Sequence, residues 1–167
     1  MRSRPRLLPA ALLGLALHTP WATADELRNW ADDPFVQLSR DVADCPVPKG
    51  PLMNEKDWKA EAHWRIETGT SCWLAGKCAD SNAYRYDAGL AQGLFPKLQN
   101  PEALKGSSVW AFVQRRILFL QGCVRDEAQG AALEALAKGT PDLVMVVPAF
   151  KVGGEGRVPY RLLTEAP

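Results

Sequence analysis

The chain has 167 residues, with 20 Lys and Arg against 19 Asp and Glu, and four cysteines. So even a charge balance excludes a protein that works through a global electrostatic field on nucleic acid. The length allows one domain with a modest core, or a small domain with an extension.

The first stretch, MRSRPRLLPAALLGLALHTPWATADE, has a basic start at Arg2, Arg4 and Arg6 and a short apolar core from Leu7 to Leu17. Ala22-Thr23-Ala24 fits the small-x-small pattern of a cleavage site, so residues 1–24 are predicted to be a secretory signal peptide cut after Ala24. The apolar run is too short to span a bilayer, and no later segment is apolar enough to do so. Cleavage leaves 143 residues with 17 basic and 19 acidic side chains, a net charge of −2. The expected destination is the periplasm or the exterior.

Residues 25–80 are predicted to form an N-terminal extension. Within DDPFVQLSRDVADCP, Asp33 suits a cap, Pro34 a first turn, and Phe35, Leu38 and Val42 one helical face, so a short helix is expected. CPVPKGP, with three prolines in seven residues, must be an irregular turn. The next segment, Glu55 to Cys78, carries Trp58, Trp64 and Trp73. Trp58 to Ala62 tolerates a helical turn, whereas Trp64, Ile66 and Thr68 alternate as in a strand, and both readings stay open.

Residues 81–153 read more clearly. Leu90, Leu94 and Leu98 recur at spacing four beside Asp87 and Ala91, which predicts a helix that ends or kinks near Phe95 because Pro96 removes a backbone donor. SSVWAFVQ alternates as a strand, with Ala111 and Val113 opposite Trp110 and Phe112. Arg115-Arg116 is the expected hairpin tip and ILFLQGCV the return strand. Asp126, Gln129 and Gly139 then frame a helix whose buried stripe is predicted to be Ala132, Leu133 and Leu136. DLVMVVPAF is a nearly continuous apolar strand, long enough for a central position. In the tail, residues 154–167, Val158, Tyr160 and Leu162 suggest a short added strand. The predicted fold is α+β: helix-strand-strand-helix-strand, a mixed three-stranded sheet with both helices on one face, plus a disulfide-tied N-terminal extension.

The stretch LFLQGCVRDEAQGAALEALAKGTPDLVMVV resembles the BON domain, the bacterial osmotic-stress and nodulation module. The resemblance runs from about residue 84 to 153 and rests on Leu118, Leu120, Gly122, Val124, Ala132, Leu143 and Val146, with YDAGLA similar to the opening of the family's first helix. Arg115-Arg116 replaces the family's acidic-glycine turn, and Asp142 stands where glycine is common. These are packing positions. The resemblance implies a non-enzymatic envelope protein that contacts phospholipid or the envelope surface.

Helices on one face leave the other face of the sheet showing Trp110, Phe112, Phe119 and Cys123. Such an aromatic surface marks an interface. Either the N-terminal half packs across it, held by a disulfide from Cys123, or it binds a partner or lipid. The first reading is preferred, because the three possible partners of Cys123 all lie in residues 45–78. Four exported cysteines read as two disulfides, and the favoured pairing is Cys72–Cys78 with Cys45–Cys123.

A zinc site recruiting His63 and a redox pair at Cys72 and Cys78 are the rival uses of the cysteines. The five-residue gap between Cys72 and Cys78 lacks the usual metal or redox spacing. His63 lacks a nucleophile signature nearby, and the glycines of VGGEG precede no Lys-Ser/Thr, so no phosphate loop is present. No catalytic residue and no cofactor are expected. The candidate surface residues are Arg115 and Arg116, as a basic tip for anionic phospholipid, and Trp58, Trp64 and Trp73, as a docking face for an envelope protein.

Overall fold

A computed structural model describes residues 26–154 and 156–164, so the predicted signal peptide lies outside the described residues. The elements are β1 (Phe35–Gln37), α1 (Glu55–Glu67), α2 (Thr70–Leu74), a 3-10 turn (Ala83–Tyr86), α3 (Asp87–Leu98), α4 (Pro101–Leu104), β2 (Ser108–Gln114), β3 (Ile117–Val124), α5 (Glu127–Ala137) and β4 (Met145–Val152). The fold is α+β, and the predicted helix-strand-strand-helix-strand order is present as α3-β2-β3-α5-β4. The sheet has four strands rather than three, in the order β1-β2-β3-β4.

The extra strand corrects the helix expected around Asp33. Phe35, Val36 and Gln37 pair antiparallel with Phe112, Ala111 and Trp110. The open edge of β2 supplies backbone partners that an isolated turn of helix cannot match, and the Phe35 ring meets Phe112 edge-on at 6.2 Å. β2 and β3 form the hairpin, and β4 returns parallel to β3 after the α5 crossover. β4 is therefore an edge strand, not the central strand its apolar run suggested. The tail does not pair with it. Instead the tail crosses back to the Pro-rich turn, where Pro48 and Leu162 make a single bridge in place of the expected strand.

The inner face of the sheet carries the core. Val109, Ala111 and Val113 of β2 and Leu118 and Leu120 of β3 are fully buried against Leu94 and Leu98 of α3 and Leu133 and Ala137 of α5. Period-two alternation places these residues on one side. Ala132 is exposed, so the buried stripe of α5 is Gly130, Leu133 and Ala137, with Leu136 at its margin. α3 runs through Pro96 to Leu98, and the Gln99 amide still reaches the Phe95 carbonyl at 2.9 Å. Pro96 is exposed, so the carbonyl it leaves unpaired faces water.

Gly122 is fixed by close approach. Its φ is 137°, and a Cβ there would lie 2.0 Å from the Ser108 carbonyl oxygen. Only glycine permits the β2–β3 pairing at this register.

On the outer face, Cys45 is bonded to Cys123, with Cα atoms 5.8 Å apart. Cys45 and Val42 close over Trp110, which is buried. The cover is thus the Pro-rich loop rather than the tryptophans of the extension. The Tyr160 hydroxyl, from the tail, donates to the Pro46 carbonyl at 2.8 Å and fastens the loop from outside.

Candidate functional site

The hairpin tip was the first candidate surface. Arg115 and Arg116 take φ values of 57° and 63°, as a two-residue turn between twisted strands requires. Neither is Gly or Asn, and the compensation comes from Asp87, at the start of α3. Its two carboxylate oxygens accept the backbone N–H groups of Arg115 and Arg116, each at 2.8 Å. Burial pushes the Asp87 carboxyl up to about 6, against the downward pull of those two bonds.

The two arginines part ways beyond the backbone. Arg116 lies over the Tyr86 ring at 4.6 Å, donates to the Asp142 carbonyl at 2.7 Å and pairs with its carboxylate at 3.2 Å. Its Nη1 also sits 2.9 Å from Cys78 Sγ. Arg116 is a tie between the hairpin, the turn before β4 and the 72–78 loop, and its charge is already matched. Arg115 is exposed, so among the described residues the basic tip reduces to one cation without an ion pair, and the neighbouring Arg85 is paired with Asp80 at 3.3 Å.

The extension was the second candidate. α1 buries only Arg65 and is capped where Asn54 Oδ1 accepts the Asp57 N–H at 2.7 Å. The open question over Glu55 to Cys78 is answered by two helices, Glu55–Glu67 and Thr70–Leu74, with Thr68 extended between them. What holds α1 to the sheet is a buried ion pair. Arg65 donates to both carboxylate oxygens of Asp33, at 2.9 and 2.6 Å, and Gln114 Nε2 donates to the same carboxylate at 2.7 Å. The Arg65 guanidinium lies 4.2 Å from the Tyr84 ring and 5.3 Å from the Trp58 ring. Burial raises the Tyr84 hydroxyl to about 12. Trp58 is therefore partly spent on internal packing. The sequence offered no signal for this cluster, because Asp33 and Arg65 are 32 residues apart and Asp33 fitted a cap.

Trp64 and Trp73 have no such employment. Trp64 is 67% exposed, Ile66 70%, Trp73 48% and Leu74 73%. They sit on the last turns of α1 and on α2, which together form an arm. Its outer part, residues 70–82, is closed twice. The Ala83 amide donates to the Thr68 carbonyl at 2.7 Å, and Cys72 is bonded to Cys78, with Cα atoms 5.4 Å apart. Apolar groups held out by a closed knob have no core to return to.

His63 is exposed and pairs with Glu67 on its own helix at 3.4 Å. All four cysteines are in disulfides, so none offers the thiolate that zinc would need. Among the described residues, no group of three or more His, Cys, Asp and Glu has a metal-holding arrangement, and no helix is long and apolar enough to cross a membrane. Comparison with protein-family models, with curated proteins and with solved structures gave no match.

Proposed function

We propose that the chain is an exported, non-enzymatic binding module of the bacterial envelope, with a BON-like domain as its body, that attaches to phospholipid or the envelope surface through the α1–α2 arm. The observation that carries this reading is the exposure of Trp64, Ile66, Trp73 and Leu74 on one arm. Tryptophan belongs at the boundary of water and hydrocarbon, and aliphatic side chains beside it add apolar area to bury. Two disulfides suit an oxidising compartment. Arg115, which has no ion-pair partner among the described residues, contributes attraction to anionic lipid, while Arg116 keeps a structural task.

The alternative, an adaptor that docks another envelope protein, rests on the same side chains. One experiment separates them. The oxidised chain 25–167 is floated with anionic and with neutral liposomes at low and moderate salt. Lipid attachment predicts flotation that is lost in the Trp73→Ser/Leu74→Ser variant. Failure to float under any condition refutes direct lipid binding and turns the search to a protein partner.

A further inference from the structure

The outer face of the sheet is not wholly covered. Between the Pro-rich loop, α1 and the β2–β3 hairpin lies an open groove of about 590 Å³. This is within the size of ligand sites, roughly 300–1,000 Å³. Its floor is the cross-strand pair Phe112 and Phe119, stacked at 4.5 Å with planes 7° apart. The loop that walls it is tied down by the Cys45–Cys123 bond and the Tyr160 contact, so the groove is preformed.

Three cations line the groove: Arg115, Lys49 and Arg161. Among the described residues, none of the three has an ion-pair partner for its side chain. Their places differ. Arg115 is at the hairpin tip. Lys49 and Arg161 are joined backbone to backbone, Lys49 N–H to Arg161 carbonyl at 2.8 Å. They belong to the end near Cys123, because Tyr160 lies against Cys45. From Ile117 to Gln121 along β3 is about 13 Å at the usual strand rise. On the α1 wall stand Asp57 and Glu61, the latter paired with Arg65. Those acids disfavour a ligand that is anionic along its whole length. Finally, Gln121 lines the floor, and its Oε1 is buried without a hydrogen-bond partner among the described residues, so a ligand donor meets it once the amide turns toward the groove. A buried acceptor left so calls for an N–H or O–H donor.

Cations at both ends, an aromatic floor and an unanswered acceptor between them describe one kind of occupant. We infer that the groove binds a short extended acidic segment of a partner protein, about four residues long, with carboxylates at its two ends and an apolar side chain over Phe119. An acyl chain would fill the aromatic floor but offers Gln121 no donor. This site is separate from the α1–α2 arm and does not depend on the arm's function.

The test uses the oxidised chain 25–167, labelled with nitrogen-15. The probe is an acetylated and amidated glutamate-phenylalanine-alanine-glutamate tetrapeptide. Lysine-phenylalanine-alanine-lysine and glutamine-phenylalanine-alanine-glutamine serve as controls. The expected result is saturable shifts of the Phe112, Phe119 and Gln121 amides with the acidic peptide alone, weakened by salt. Lys49→Glu/Arg161→Glu should raise Kd at least about tenfold, since charge complementarity sets the preference. Arg161 is exposed and Lys49 half-buried, and among the described residues neither side chain has an ion-pair partner, so the variant keeps its melting temperature. Gln121→Leu should weaken binding while leaving the charge preference intact. The inference is overturned by equal shifts with all three peptides, by no shift up to millimolar peptide, or by charge reversal without effect. Vesicle flotation of the charge-reversed variant stays at the parental level, which keeps this result distinct from that for the arm.

Discussion

The two disulfides close loops of very different size, and this sets their expected worth. Cys45 and Cys123 are 78 residues apart, Cys72 and Cys78 only six. Restriction of the unfolded chain predicts about 4.5 kcal/mol for the long loop and about 2.2 kcal/mol for the short one at 25 °C. The perturbation is the pair of double variants Cys45→Ala/Cys123→Ala and Cys72→Ala/Cys78→Ala. Urea unfolding at neutral pH gives each loss directly, provided the transitions stay two-state. The long-loop variant should lose on the order of 15 °C in Tm. It should also shift tryptophan emission to the red, because Trp110 is buried beneath Cys45 and Val42 and the loop is free to lift once the bond is gone. If removing the long-loop bond destabilises no more than removing the short one, chain restriction is not what the bond supplies.

The buried ion pair of α1 should be stringent in one direction only. Arg65→Met leaves the Asp33 carboxylate buried and unpaired and should cost about 3–5 kcal/mol, whereas Asp33→Leu/Arg65→Met should recover most of that loss in chemical denaturation. Asp87 makes stability depend on pH. Burial pushes its carboxyl up to about 6, above the ordinary aspartate range, so the folded state holds the proton more tightly and this group's contribution falls as pH rises from about 4 through 6. Asp87→Asn should flatten that segment of the curve, read as urea midpoints of the two proteins from pH 4 to 7 (a steeper segment in the variant would contradict it). Gly122→Ala should be severe, about 3 kcal/mol or more, since its Cβ meets the Ser108 carbonyl. A thermal melt within a degree of the parent would show that the strands part easily there.

The second half of the chain was largely legible because its local signals agree with its tertiary use. Asp126 does accept the Gln129 N–H, at 2.7 Å, and Arg115-Arg116 does turn the hairpin. The predicted pairing of the cysteines follows from the same topology, since Cys123 faces away from the helices. What was misread or left open has a common cause. Phe35, Leu38 and Val42 have helical spacing, yet the free edge of β2 takes Phe35 to Gln37 as a strand. Trp64, Ile66 and Thr68 alternate, yet they end a helix whose attachment is a buried arginine rather than an apolar stripe. Arg116 looked like a free cation because Asp142, Tyr86 and Cys78 are distant in sequence. The groove was illegible for the same reason: Lys49, Arg115 and Arg161 come from three separate segments and meet only across the covered sheet.

The closure at the base of the arm has a consequence for what this chain can become. Gly69 lies so close to Ala83 that a Cβ there would fall 2.7 Å from the Ala83 nitrogen. The chain leaves the body and re-enters it at one point, with nothing of the sheet or core between. Residues 70–82 are a detachable piece in the topological sense. A two- or three-residue turn in their place would leave β1 to β4 undisturbed, and a different knob could be spliced in at the same seam. Residues 70–82 still touch the hairpin where Cys78 meets Arg116, but the exposed Trp73 and Leu74 lie clear of that contact, so the surface that meets the outside is free to diversify while the scaffold stands still.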